Sequence, residues 1–211
     1  MKLKLPKVTL LMYENRDLQK AQEVIEICKH YADFHSILLI TDIKRGLPYE
    51  TIESMPIRSL KDYSRFCLVK MNSYIKSDFV LTIHIDGFIL NANAFSEEFY
   101  KWDYIGAPWY FDNPPTVGNG GFSWRSKKLL NAIDQILPRI NCNYLHDHED
   151  IVISVQLRPV LEQHFNIKFA PYEIADKFSV ETKGKWNGEF GFHNYKFVNP
   201  EKDGWENPLN K

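Results

Sequence analysis

Four short stretches carry residue types that do chemistry. In TIHIDG (residues 82–87) an imidazole and a carboxylate stand two positions apart. Side chains alternate faces along a strand, so His84 and Asp86 are expected to point one way and Ile85 into the sheet. At the C-terminal end of a parallel strand, where open α/β sheets place ligands, such a pair can hold a divalent metal beside phosphate oxygens. Asp86–Gly87 can equally be the turn that ends the strand. LHDHEDIVIS (145–154) sets His146, Asp147, His148, Glu149 and Asp150 in consecutive positions before a helical run. Acidic residues there complement the helix dipole, which accounts for Glu149 and Asp150 but says little about two histidines. A carboxylate at a helix start inside a cleft is also a good general base. In GEFGFHN (188–194), His193 follows two glycines and an aromatic and reads as structural or functional alike.

The fourth stretch is TVGNGGFSWRSKKLL (116–130), which holds three of the chain's 10 glycines, Gly118, Gly120 and Gly121, around Asn119. Glycine costs backbone entropy, so a cluster marks positive φ angles or a close approach of the backbone to something. A loop that turns into a helix near Ser126 can cradle polar ligand atoms with its free N–H groups. The spacing fits neither GxGxxG nor GxxxxGK[ST], which argues against a dinucleotide fold or a P-loop.

The elements that must position these residues alternate between strand and helix. Val8–Tyr13 reads as a buried strand, and Asp17 caps a helix with Leu18, Ala21, Val24, Ile25 and Cys28 at helical spacing. Phe34–Asp42 is a second strand. Asp62 is expected to cap a helix that buries Phe66, Cys67, Val69 and Tyr74, and residues 78–86 form a third strand. This order predicts an α/β fold, a central mostly parallel sheet flanked by helices, in one domain over residues 1–211. Residues 100–115, rich in aromatics and prolines, read as a loop-rich surface rather than core. Two more helices are expected at about 126–136 and 149–164, with a tail from about residue 186 wrapping the surface.

Composition narrows the function classes. The 211 residues are 44% hydrophobic and 25% charged with net charge −1, as in a globular protein with a proper core and no pull toward nucleic acid or an anionic membrane. Aromatics reach 14%, which suits a sugar-binding cleft but also a large core. The apolar run VTLLM is too short for a signal-peptide core or a transmembrane segment. Cys28, Cys67 and Cys142 are far apart without metal-like spacing, so a reduced, cytoplasmic protein is expected.

Taken in order, the helix around DYSRFCLVKMNSYIKS, the strand end TIHIDG, then DYIGAPW, VGNGGFSWRSKKLL and HEDIVIS resemble the motifs of a GT-A-type glycosyltransferase. The order is similar to that of β-1,3-galactosyltransferase and fringe enzymes. It is closer still to a bacterial domain family of formerly unknown function found with polysaccharide, O-antigen and lipopolysaccharide biosynthesis. The resemblance covers about residues 8–195, and GNGGFS and HED are its most specific parts. It implies a Rossmann-like GT-A domain that takes a nucleotide-sugar donor, of UDP type, and a glycan or glycolipid acceptor. Peripheral association with a membrane-bound acceptor is compatible with it. Asp86 with His84 would occupy the DxD position that binds Mn²⁺ (or Mg²⁺) and the diphosphate, and His193 would complete the metal site. The first carboxylate of that pattern is His84 here; imidazole is an acceptable Mn²⁺ ligand, so the departure bears on metal dependence. Gly118, Asn119, Gly120 and Gly121, with Trp109 and His148, would line the sugar and acceptor site. Glu14, Asp42 and Lys70 would contact the nucleotide. Asp150, or Glu149 beside it, would be the catalytic carboxylate.

Two other classes fit the same residues. One is a non-catalytic carbohydrate- or nucleotide-sugar-binding module on the same fold. The other is a metal-dependent hydrolase built on His146, His148 and Asp150.

Overall fold

Strand β1 (Leu3–Tyr13) explains why the sheet is central. Its residues divide by parity: Val8, Leu10 and Met12 are buried in one apolar cluster and Leu11 and Tyr13 in another. A strand buried on both faces requires a layer on each side, which is how a parallel sheet is normally covered. In the computed structural model, which describes residues 2–42, 44, 46–47, 49–52, 57–110, 116–141, 143 and 145–210, those layers are helical. Helix α1 (Leu18–Tyr31) covers the first face with Ala21, Val24, Ile25 and Cys28. Helix α2 (Leu60–Val69) and the short α3 (Met71–Tyr74) cover the second with Phe66, Cys67 and Met71.

Strands β2 (Ala32–Thr41), β3 (Glu50–Ile52) and β4 (Phe79–Ile83) join β1 in the order β3-β2-β1-β4, all parallel. Three short strands follow: β5 (Tyr104–Ile105), β6 (Pro108–Trp109) and β7 (Thr116–Val117). Strand β8 (Ser123–Ser126) then enters the sheet antiparallel to β4, and β5 pairs antiparallel with β8 at the edge. The mixed α/β architecture with a mostly parallel sheet is the one expected from sequence. Helix α4 (Lys127–Ile136) follows β8 directly; Ser126 caps it by accepting the Leu129 N–H at 3.0 Å. The chain closes with α5 (Glu149–Ile151), a π-helical stretch (Val152–Gln156), α6 (Arg158–Phe165), α7 (Tyr172–Phe178), β9 (Ser179–Val180) and β10 (Gly191–Phe192), the last two paired in parallel.

Four local expectations are corrected. The cap of α2 is Ser59, not Asp62. Ser59 accepts the Asp62 N–H at 3.1 Å while the Asp62 carboxylate accepts the Ser59 N–H at 3.0 Å, a reciprocal capping box. Residues 103–109 are core rather than loop surface: β5 completes the sheet, and Tyr104, Ile105 and Ala107 are buried. Residues 111–115 lie outside the described residues, as does Cys142. The helix expected over 149–164 is interrupted by the π-helical stretch, and Pro159, which cannot donate in a helix interior, sits in the first turn of α6 instead. Finally, β4 stops at Ile83, so His84 and Asp86 stand beyond the strand. Among the described residues no helix is long and apolar enough to cross a membrane.

Candidate active site

The C-terminal ends of β1, β2 and β4 open onto a cavity of about 1150 Å³. At the end of β1 the buried Glu14 folds back so that its Oε1 accepts the N–H groups of Asn15 (3.0 Å), Arg16 (2.7 Å) and Asp17 (3.2 Å). That carboxylate shapes the loop before α1 and turns the exposed Arg16 toward the cavity mouth. Asp42, just past β2, presents a buried Oδ1 with no hydrogen-bond partner among the described residues. The start of α2 adds Arg58, Ser59, Leu60 and Tyr63.

After β4 the chain makes a tight turn in which His84 and Gly87 exchange backbone hydrogen bonds of 2.9 and 3.1 Å. The turn, not strand alternation, aims His84 and Asp86; Ile85 lines the cavity instead of entering the sheet. The β9–β10 pairing sets Phe192 opposite Val180 and so brings His193 beside Glu181. Ligand atoms of His84, Asp86 and His193 all lie within 4.8 Å of one another, with His193 Nε2 3.7 Å from Asp86 Oδ1. The Tyr63 hydroxyl holds His84 Nε2 at 2.7 Å. Burial, then the neighbouring His193, pull His84 down to about 3, so its ring is neutral and free to ligate. Burial also opposes charge on His193, but Glu181, Asp86 and Asp150 together hold it above the ordinary histidine range. Two imidazoles and a carboxylate suit Mn²⁺ better than an all-oxygen cation such as Ca²⁺, and an ion there would have to displace the extra proton that the carboxylates favour on His193. Among the described residues this is the group with metal-ligand spacing; His146, His148 and Asp150 do not form one.

Opposite stands the GNGG turn. Asn119 adopts a left-handed conformation (φ 67°), and its carbonyl accepts the buried Tyr104 hydroxyl at 2.8 Å. Its side chain accepts the Phe122 N–H at 3.1 Å and places Nδ2 2.9 Å from His193 Nδ1. The next N–H, of Gly120, donates to Asp150 Oδ2 at 3.1 Å. One turn therefore touches both a candidate metal ligand and the candidate base. Asp150 lines the cavity, and burial, then the adjacent Glu149, push its carboxyl up to about 6.

The glycines make room for the protein's own side chains. A Cβ on Gly118 would sit 2.1 Å from the Trp109 ring, one on Gly120 2.0 Å from Glu149 Oε1, and one on Gly121 2.0 Å from His193 Nε2. None of the three glycines lines the cavity; Asn119 does. Gly121→Ala is accordingly expected to push the His193 ring out of the ligand group, and any Mn²⁺ held there would bind about tenfold or more weakly, as when a ligand loses its orientation. A titration of Mn²⁺ into the variant checks this, and wild-type affinity there would show that the ring yields without leaving.

The remaining expected residues divide. Glu14, Asp42, Trp109 and His148 line the cavity. Glu149 does not: it is buried, and its Oε1 accepts from Arg125 Nη2 at 2.8 Å. Lys70 also falls away from the site, exposed at the far end of α2, a ten-residue helix about 15 Å long whose other end meets the cavity. Arg16, Arg58, Tyr63 and Glu181 are in the wall but were not foreseen.

Residues 46–193 match a family described as "Protein of unknown function (DUF5672)", a span that takes in the TIHIDG turn, the GNGG turn and Asp150 and ends on His193. The chain belongs to this family. No curated protein matches the sequence. Among solved structures, this DUF5672 chain is similar to a glycosyltransferase involved in the glycosylation of the major capsid of PBCV-1, at 13% identity and a TM-score of 0.50, over 93% of this chain and 96% of that one. It is also similar to apo-form glycosyltransferase GlyE from Streptococcus pneumoniae TIGR4, at 11% identity and a TM-score of 0.51, over 89% of this chain. The match spans 54% of the GlyE chain. At such identities the likeness is one of fold, a GT-A-like fold shared with glycosyltransferases.

Proposed function

We propose that this DUF5672 chain transfers a hexose from a nucleotide sugar, of UDP type, to a growing surface glycan or glycolipid, with inversion at the anomeric carbon. The observation that carries the reading is the GNGG turn, which hydrogen-bonds His193 through Asn119 and Asp150 through the Gly120 N–H. A leaving-group site and a base are thus held in one rigid frame on one cavity. His84, Asp86 and His193 would hold Mn²⁺, which when bound supplies Lewis-acid stabilisation of the charge growing on the departing diphosphate. Arg16 and Arg58, cationic at the cavity mouth, complement the same phosphates. Asp42 and Glu14 border the end where the nucleoside would lie. Asp150 takes the proton of the acceptor hydroxyl as that oxygen bonds to the anomeric carbon, and the bond to the diphosphate breaks with its electron pair leaving on phosphate. Base and leaving group on opposite faces of the sugar is the arrangement inversion requires.

The test is calorimetric titration of UDP with and without Mn²⁺. Wild-type protein is expected to bind UDP more tightly with the ion, and Asp86→Ala to lose that enhancement and sugar transfer together while keeping its thermal transition. Equal UDP affinity in the two proteins would sink the proposed metal role. Sugar binding without any response to UDP would favour a carbohydrate-binding module.

A further inference from the structure

His193 Nδ1 has two suitors that cannot both be satisfied. Asn119 Nδ2 and Glu181 Oε1 each lie 2.9 Å from it. The Asn119 amide is not free to flip, because its Oδ1 already accepts the Phe122 N–H. Toward His193, Asn119 can therefore only donate, which needs a bare Nδ1; Glu181, as a carboxylate, can only accept, which needs Nδ1–H. The choice decides what Nε2 does. With the proton on Nδ1, Nε2 offers a lone pair toward Asp86 and His84. With the proton on Nε2, that nitrogen turns an N–H toward Asp86 Oδ1, 3.7 Å away, and has no lone pair to offer the ligand group.

We infer that Glu181 is a positioning residue: it holds His193 as the Nδ1–H tautomer and so keeps Nε2 open as a ligand, against the competing pull of Asn119. A hydrogen bond to an ionised acceptor is roughly twice as strong as a neutral one. Glu181 is buried (7% exposed), so water does not dilute it. The backbone reinforces the pairing, since His193 N–H donates to the Val180 carbonyl at 3.0 Å and ties the two residues' strands together. Carboxylate–histidine pairs of this kind orient metal-binding imidazoles and raise their basicity. The consequence for metal binding rests on the transferase reading above; the tautomer assignment does not.

The test uses ¹⁵N-labelled full-length protein without metal, at mildly alkaline pH where the ring carries a single proton, and reads the tautomer from two-bond nitrogen–proton correlations. Wild type is expected to show Nδ1–H. Glu181→Ala should switch to Nε2–H, as Asn119 takes over Nδ1, and should weaken Mn²⁺ binding about ten- to a hundredfold. The double variant Asn119→Asp/Glu181→Ala puts a carboxylate where the amide nitrogen was. Asp tolerates the left-handed conformation there and can still accept from Phe122. It should restore both the Nδ1–H tautomer and most of the Mn²⁺ affinity, a rescue that a merely structural Glu181 would not allow. An Nε2–H tautomer in wild type, or a tautomer unmoved in Glu181→Ala, overturns the inference. The predicted tautomers in a wild-type protein with no Mn²⁺ affinity would uphold the assignment and overturn the metal reading instead.

Discussion

Asp150→Asn is expected to slow sugar transfer about a hundred- to ten-thousandfold, the usual cost of removing a positioned base, with donor affinity unchanged. Asn keeps one oxygen, which can still accept the Gly120 N–H while the contact with the Ile151 N–H and proton uptake are lost. The pH profile gives the sharper check. Because burial and Glu149 raise Asp150 to about 6, the carboxylate is ionised and competent above that pH and protonated below it. Wild-type kcat/KM should thus fall about tenfold per unit as pH drops through 6. The residual rate of Asp150→Asn should lack that limb. Near-normal turnover in the variant, or a product of retained anomeric configuration by NMR, would remove Asp150 from the proposed role.

Arg125→Met should destabilise the fold by about 3–5 kcal/mol, through the stranded Glu149 carboxylate. Both partners are buried, Arg125 completely. Burial opposes the Arg125 cation, and Glu149 together with Tyr104, Cys67 and Tyr63 more than offsets it. The guanidinium also donates to Ser123 Oγ at 3.0 Å, and Glu149 N–H donates to Ser64 Oγ at 3.1 Å, so the pair pins β8, α5 and α2 to one another. A domain has about 5–15 kcal/mol in total, so the variant should be marginal. Replacing both charges, Arg125→Met/Glu149→Leu, should recover most of the loss, because no uncompensated charge remains. Urea midpoints of the two variants decide it; equal stability of the single and double variants would mean that the carboxylate finds another partner.

What sequence made legible follows from which signals are local. The buried run of β1 and the Asp17 cap are written within a few neighbouring residues, and both were readable. So was Ser126 as the start of a helix. Strand β8 was not, since Ser-Trp-Arg-Ser looks like a polar turn until β4 and β5 flank it and bury its arginine. The capping box at Ser59 was visible as a serine three residues before an aspartate, and the wrong member was taken as the cap. Of the site, His84, Asp86, His193 and Asp150 stood out by residue type. Glu181 carries no signal in its own neighbourhood; only the β9–β10 register gives it a partner. Lys70 lies at the end of α2 away from the cavity, and the space beside the glycines is filled by Trp109, Glu149 and His193, neither of which a local pattern reveals.

The distance along the chain between His84 and His193, more than half of its length, also bears on how the protein is made. During synthesis the TIHIDG turn leaves the ribosome long before β9, β10 and Glu181 exist. A nascent chain then carries two exposed ligands, too few for a tight metal complex, and no walled cavity. Closing that long loop is an entropic cost met only when β10 docks, so the fold of the sheet precedes competence of the site. On the proposed function, an incomplete chain would thereby be kept from sequestering metal or activated sugar before it could use either.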